Sequence, residues 1–127
     1  MASVHHYREL VAWQLADSFK QRVFALVMSS PQASQDLRYR SQLLDAASAV
    51  SKDIAEGFKR FSGPVMRQFC DYALGSLHEA DERLKDGLQL KYFRAEDCAE
   101  AFRDVRRCTV ATIRLKKSQK DHRRRRR

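Results

Sequence analysis

Apolar residues recur at three- and four-residue steps along most of this chain, a spacing that places their side chains on one face of an α-helix. Four such stripes are present, and proline or other turn-forming residues separate most of them. They predict helices from about Tyr7 to Met28, from Ser34 or Asp36 to about Phe58, from Pro64 to Leu90, and from beyond Arg94. The residues expected in a shared interior are Val11, Leu15, Phe19, Val23, Leu26, Val27, Leu43, Ala47, Val50, Ile54, Phe58, Met66, Phe69, Ala73, Leu77, Ala80, Leu84, Leu88, Cys98, Phe102 or Ala101, Val105, Thr109 or Cys108, Thr112 and Ile113.

Three short links join these helices, at residues 29–35, 59–63 and 91–94. Pro31 is expected to end the first helix, because proline cannot continue the hydrogen-bond ladder. Pro64 suits the first turn of the third helix, where a missing N–H is not needed. Since short links force neighbouring helices to run antiparallel, the sequence predicts an all-α, antiparallel up-down-up-down four-helix bundle over residues 1–115.

The apolar period stops after Leu115, and the remaining sequence is KKSQKDHRRRRR. Nine of the 25 Lys and Arg residues and one of the 16 acidic residues lie between positions 114 and 127, so this segment carries +8 and the rest of the chain +1. Such a segment has nothing to bury and repels itself. We therefore predict a disordered basic tail over residues 116–127, with the last helix fraying between Leu115 and Asp121.

Glycine and proline are scarce, with four and two residues, which favours long helices over a fold rich in turns. Gly75 nevertheless lies inside the third predicted helix, where it costs about 1 kcal/mol relative to alanine. A close helix–helix contact is the expected reason. No apolar run approaches the roughly 20 residues that a bilayer requires. The N-terminus lacks the basic and apolar regions of a secretory signal. These observations predict a cytoplasmic protein that does not enter a membrane.

Three segments together resemble a known family. They are Tyr7-Arg8-Glu9-Leu10-Val11-Ala12-Trp13, Asp53-Ile54-Ala55-Glu56-Gly57-Phe58, and Ala73-Leu74-Gly75-Ser76-Leu77 followed by Glu79. Their order and spacing resemble the proteins encoded in intervening sequences of bacterial 23S ribosomal RNA genes, over about Tyr7 to Arg114. The family usually has Pro-Ser-Asn where this chain has Ser51-Lys52-Asp53, and the five-arginine end is not part of its pattern.

The resemblance implies a bacterial, cytoplasmic four-helix bundle that assembles into a ring, with a homopentamer favoured. It also implies that Glu56, Gly57, Gly75 and Glu79 are structural motif residues. A ribosomal or RNA-binding role is suspected for the family from its genomic location, and the resemblance establishes no enzymatic activity. An RNA role that depended on the arginine-rich end would not be inherited from the family.

Two groups of basic residues are candidates for contact with nucleic acid, because phosphate binding draws on Lys and Arg. A solubilising tail and a solvated, salt-bridged helix end are the alternatives. The first group lies in the tail and consists of Lys116, Lys117, Lys120, Arg123, Arg124, Arg125, Arg126 and Arg127. The second group lies at the junction of the second and third helices and consists of Lys59, Arg60 and Arg67.

Signatures of catalysis or of a metal site are lacking in the sequence. Cys70, Cys98 and Cys108 have no CxxC spacing, and the chain has no Glu-x-x-His pair, no Gly-rich phosphate loop and no triad spacing. Glu56 and Glu79 are expected to make structural pairs or caps, with Arg60 or Arg67 across a helix or subunit boundary as candidate partners. We therefore expect no catalytic residues, no metal and no cofactor.

Two functional hypotheses follow from the sequence. The first is an oligomeric bundle that binds RNA or DNA through its basic residues. The second is a structural or adaptor protein that recruits another protein through its ring surface, which the nearly neutral body favours.

Overall fold

The computed structural model describes the backbone of residues 4–125 and the side chains of residues 4–119. This part of the chain is all-α, as predicted, and contains no strand. A short 3₁₀ helix at Tyr7–Glu9 precedes five α-helices, which are α1 (Val11–Met28), α2 (Pro31–Gln35), α3 (Leu37–Lys59), α4 (Gly63–Gln89) and α5 (Ala95–Arg125). None of the described helices is both long and apolar enough to cross a membrane.

The four long helices surround one core. α1 packs against α3 and α5, and α4 packs against α3 and α5, while the short α2 lies beside α1 and α3. The predicted stripes are confirmed for most positions, with Phe19, Leu43, Ile54, Leu77 and Leu84 among the largest fully buried side chains. Burying such side chains is the main favourable contribution to folding.

Two predicted core positions are wrong. Val11 is 64% exposed and Ile113 is 38% exposed. Val11 is the first residue of α1, so its side chain lies at one end of that helix. On α5 the buried face passes through Cys108 and Thr112, and Ile113, one residue further on, is rotated toward solvent.

Polar caps explain where α2, α3 and α4 begin. The Ser30 hydroxyl accepts a hydrogen bond from the N–H of Ala33, the Asp36 carboxylate from that of Tyr39, and the Ser62 hydroxyl from that of Val65. Pro31 therefore starts α2 inside the first link, where we had expected no helix. Its missing N–H costs nothing in a first turn, as also holds for Pro64 in α4.

The last helix is longer than predicted. It does not end between Leu115 and Asp121 but continues to Arg125. Contacts with α4 continue past Leu115. The Lys116 Nζ lies 2.6 Å from the Asp71 Oδ1, and the Gln119 carbonyl oxygen lies 3.4 Å from a Cβ built on Gly63. Packing on α4 thus supports helix in the first turn of the segment that we predicted to be disordered. Arg126 and Arg127 lie outside the described residues, as do the side chains of Lys120, Arg123, Arg124 and Arg125.

Close helix packing occurs at two glycines, but not at Gly75. A Cβ on Gly57 would lie 2.7 Å from the Phe69 Cβ, and one on Gly87 would lie 2.6 Å from the Phe93 ring. Gly75 is exposed, and within the described chain nothing comes within 4 Å of a Cβ placed there. The predicted close contact at Gly75 is therefore wrong for the single chain, because this residue lies on the outer face of α4.

Candidate nucleic-acid interface

Described members of the two basic groups predicted from the sequence lie at the same end of the molecule. Lys59 and Arg60 lie at the C-terminal end of α3, and Arg67 lies near the start of α4. The segment of α5 around Lys116 passes the start of α4, as the contact between Gly63 and Gln119 demonstrates. The packing of α5 on α4 therefore joins basic residues that are about fifty positions apart in the sequence.

Lys59 and Arg60 are exposed, and each lies over an aromatic ring. The Lys59 ammonium is 5.6 Å from the centroid of the Tyr7 ring, and the Arg60 guanidinium is 5.8 Å from that of Phe69. Arg60 also pairs with Glu56 at 3.3 Å. Exposed ion pairs and cation–π contacts of this kind contribute only about 1 kcal/mol or less. Both cations therefore remain available to a phosphate.

Arg67 and Lys116 are less accessible. They line a shallow hollow together with Pro64, Gln68 and Asp71. The Lys116 ammonium donates to the Asp71 carboxylate at 2.6 Å, so part of its charge is already compensated. The Nε of Arg67 is buried and has no hydrogen-bond partner among the described atoms.

Four basic residues outside the predicted groups lie on the same outer face of α5 as the predicted Lys117. Arg103, Arg106, Arg107 and Arg114 are exposed, and so is Lys117. They flank Val110 on the side opposite the buried face, with steps of three and four residues. Arg103 lies 3.5 Å from Glu100, whereas the other four make no ion pair within the described part of the chain. The basic residues of this face recur with the same helical period as the apolar residues of the core. The period of the polar positions therefore predicts this face.

Some of the family-like motif residues on α3 and α4 pack these helices together. Ile54 is fully buried, and Gly57 lets the Phe69 side chain approach the α3 backbone. Burial raises the pKa of the Asp53 carboxyl, and the charge of Lys52 and the Ser76 side chain partly offset that shift. Glu56 pairs with Arg60 one turn further along the chain at the end of α3, and not across a helix boundary. Glu79, by contrast, is exposed on α4.

The three thiols lie in the core. Cys70, Cys98 and Cys108 are buried, and this burial raises the pKa of each to about 11. They are therefore protonated at neutral pH and are poor nucleophiles. Among the described side chains, no group of three or more His, Cys, Asp and Glu residues is arranged to hold a metal ion.

These features define an all-α protein whose long helices enclose one core and whose last helix carries a basic outer face. The chain belongs to the 23S rRNA-intervening sequence protein family, whose sequence profile matches residues 8–113. The matched region ends before Arg114, so the basic run that follows lies outside it. A search of curated proteins found no match to the chain.

Proposed function

We propose that the protein is a non-enzymatic, ring-forming oligomer of four-helix bundles that binds nucleic acid, with RNA favoured, in the cytoplasm. One observation carries the proposal. The exposed basic face of α5 leads to the end of the molecule that also bears Lys59 and Arg60. The described cations of α3, α4 and α5 thereby support one extended basic surface.

The up-down-up-down order of the bundle is part of this proposal. Two contacts support an antiparallel arrangement of α1 and α5, since Ala12 contacts Cys108 and the later residue Arg22 contacts the earlier residue Asp104. Short links between α3 and α4 and between α4 and α5 favour the same relation.

Phosphate contact is the chemistry that this surface suits. Exposed guanidinium and ammonium groups neutralise phosphates and release counterions, so binding weakens steeply as salt rises. Contacts of this kind fix position on a nucleic acid and do not read its sequence. In an oligomer, several such surfaces would act together and strengthen weak individual contacts.

Matched charge variants test the proposal. The first variant combines Arg106→Gln, Arg107→Gln and Arg114→Gln on the α5 face. The control combines Arg38→Gln, Lys91→Gln and Arg94→Gln, which are exposed residues at the opposite end of the bundle. Both variants remove three positive charges, so they differ in location and not in net charge.

Affinity for a short RNA is then measured by fluorescence anisotropy between about 50 and 200 mM salt. We expect the α5 variant to bind at least tenfold more weakly and with a shallower salt dependence, while the control binds almost as the native chain does. A version ending at Leu115 should also lose affinity. Equal losses in the two triple variants, or no binding by the native chain, would refute the proposed interface.

Self-association is supported by apolar side chains that a single chain leaves in water. On α1, Val11, Phe24 and Met28 are 64%, 39% and 56% exposed. Contact between copies would remove this surface from solvent, and a ring requires an interface whose rotation closes. The number of five subunits rests on the family resemblance. Light scattering coupled to size-exclusion chromatography should give about five chain masses, and the mass of a monomer would contradict the ring.

The same exposed side chains on α1 also favour the second candidate function, recruitment of a partner protein. The two candidates differ in what co-purifies with the native chain. A high ratio of absorbance at 260 nm to that at 280 nm in the unwashed protein supports nucleic-acid binding. A stoichiometric protein partner that survives nuclease treatment supports the adaptor.

A further inference from the structure

We propose that the aromatic ring of Phe61 stacks on an unpaired base, so that the ligand at the basic end is single-stranded nucleic acid. This inference rests on the proposed function and specifies the class of ligand that the surface takes. It depends on three properties of Phe61, namely its exposure, its backbone conformation and its neighbours.

Burial does not explain a phenylalanine at this position. The side chain of Phe61 is 86% exposed, the largest exposed fraction among the large apolar side chains of the described residues. Among the described side chains its one aromatic neighbour is Phe58, with ring centroids 6.4 Å apart and planes tilted by 51°. Most of the ring surface therefore faces water.

Backbone geometry does not explain it either. Phe61 follows the C-cap residue of α3 with a φ of 54°, in the left-handed region. Glycine or asparagine is preferred at this position after a helix, and bulky side chains are disfavoured there. Lys91 has the equivalent place after α4, with a φ of 62°, but its charged side chain is readily hydrated. Both the exposure of the Phe61 ring to water and its left-handed backbone conformation are thus energetically unfavourable. Residues in such strained conformations concentrate at functional sites.

The surroundings of Phe61 identify the ligand. Lys59 and Arg60 are exposed just before it in the chain, and the ring borders a hollow lined also by Ser118 and Gln119 of α5. An aromatic ring beside cations is the combination that binds single strands, since the cations contact the backbone and the ring stacks on a base. A duplex keeps its base faces stacked inside, so an unpaired base is needed.

The test compares Phe61→Ala with Leu37→Ala in the full-length protein. Leu37 is an exposed apolar residue at the start of α3, at the other end of this helix from Phe61, and is the matched control. Affinities are measured for a short single-stranded RNA of mixed sequence and for a blunt duplex of the same sequence. We expect Phe61→Ala to weaken single-strand binding about 5- to 100-fold, the range for loss of one stacked base. The salt dependence and the duplex affinity should not change, because no cation is removed.

A second variant, Phe61→Trp, keeps an aromatic face and provides a spectroscopic signal. It should retain the affinity for single strands, and its fluorescence should be quenched on binding more than that of the native chain, which contains Trp13 alone. Unchanged single-strand affinity in Phe61→Ala, or equal losses on single strand and duplex, would overturn the stacking role while leaving nucleic-acid binding intact. A change in molar mass on Phe61→Ala would assign the ring to contact between copies. A native chain that binds neither RNA would refute the proposed function itself.

Discussion

The hydroxyl of Tyr92 donates a 2.5 Å hydrogen bond to the carboxylate of Asp36. The same carboxylate accepts a 3.1 Å hydrogen bond from the N–H of Tyr39 and so caps α3. One side chain thereby ties the link between α4 and α5 to the start of α3. The Tyr92 hydrogen bond, followed by the Tyr39 N–H, lowers the pKa of Asp36 below its ordinary value of 3.8.

Substitution Tyr92→Phe should make the folded protein less stable at neutral pH and less sensitive to acid. A carboxylate with a lowered folded-state pKa stabilises the fold above its unfolded pKa, and this contribution disappears as the pH falls through the folded-state value. The difference in unfolding free energy between the native chain and the variant should therefore have its largest value at about pH 6 and should decrease below about pH 4. Urea unfolding across this range measures it.

Tyr72→Phe is the control for this measurement, because Tyr72 is 49% exposed on α4 and does not contact Asp36. Its effect should be small and independent of pH. A Tyr92→Phe difference that stayed constant down to about pH 2 would show that the hydroxyl does not act through Asp36.

Gly87→Ala should destabilise the fold by about 1–3 kcal/mol, the usual cost of overpacking a core. The new methyl group would collide with the Tyr39 hydroxyl oxygen and with the Phe93 ring, 2.6 Å away. Tyr39 cannot easily move aside, because its hydroxyl donates to the Arg83 carbonyl oxygen at 2.7 Å. Chemical unfolding measures the change, and a variant as stable as the native chain would contradict this packing.

Gly75→Ala should have the opposite sign. A Cβ at this position meets nothing within 4 Å, and alanine is favoured over glycine inside a helix by about 1 kcal/mol. We therefore expect the free energy of unfolding to rise by about that amount. If the variant instead lowers both stability and molar mass in solution, the outer face of α4 is covered by a neighbouring copy.

Phe61→Asn should stabilise the chain while it removes the proposed stacking ring. Asparagine tolerates the left-handed conformation at a φ of 54° better than phenylalanine does. The expected gain is about 1 kcal/mol in thermal or urea unfolding. Loss of stability would mean that the ring packs against something that the single chain does not contain.

The three cysteines should resist thiol reagents in the native state. Burial raises the pKa of Cys70, Cys98 and Cys108 to about 11, so few thiolates form at about pH 8. Titration with a chromogenic disulfide should detect almost no reactive thiol before unfolding and three afterwards. Rapid labelling of the native protein would place at least one cysteine outside the core.

Much of the fold could be predicted because a buried helix face repeats with a short period. Phe19, Ile54 and Leu77 were identified in this way, and all three are buried. Helix ends were predicted where a local capping residue decides them, as Asp36 and Ser62 do. The short helix α2 was missed, since a proline read only as a terminator can also begin a helix.

The candidate site was predicted less completely. Lys59, Arg60 and Lys116 were named from charge clusters alone, and packing then placed them at one end. The α5 face with Arg106 and Arg107 was missed because acidic residues interrupt its charge in sequence, and only the helical projection separates the two signs. The unusual position of Phe61 has no sequence signal, since its backbone angle depends on how α3 turns into α4.

The sequence by itself determined that the chain is helical, where its core faces lie and where its charge accumulates, because these properties depend on neighbours within a few residues. The tertiary structure decided which distant residues meet and which stay exposed. Packing of α5 against α4 carries the basic segment beside Lys59 and Arg60. Gly75 stays open on the outer face of α4, and the turn from α3 into α4 leaves Phe61 in water. Those outcomes depend on the relative placement of whole helices, which no local pattern encodes.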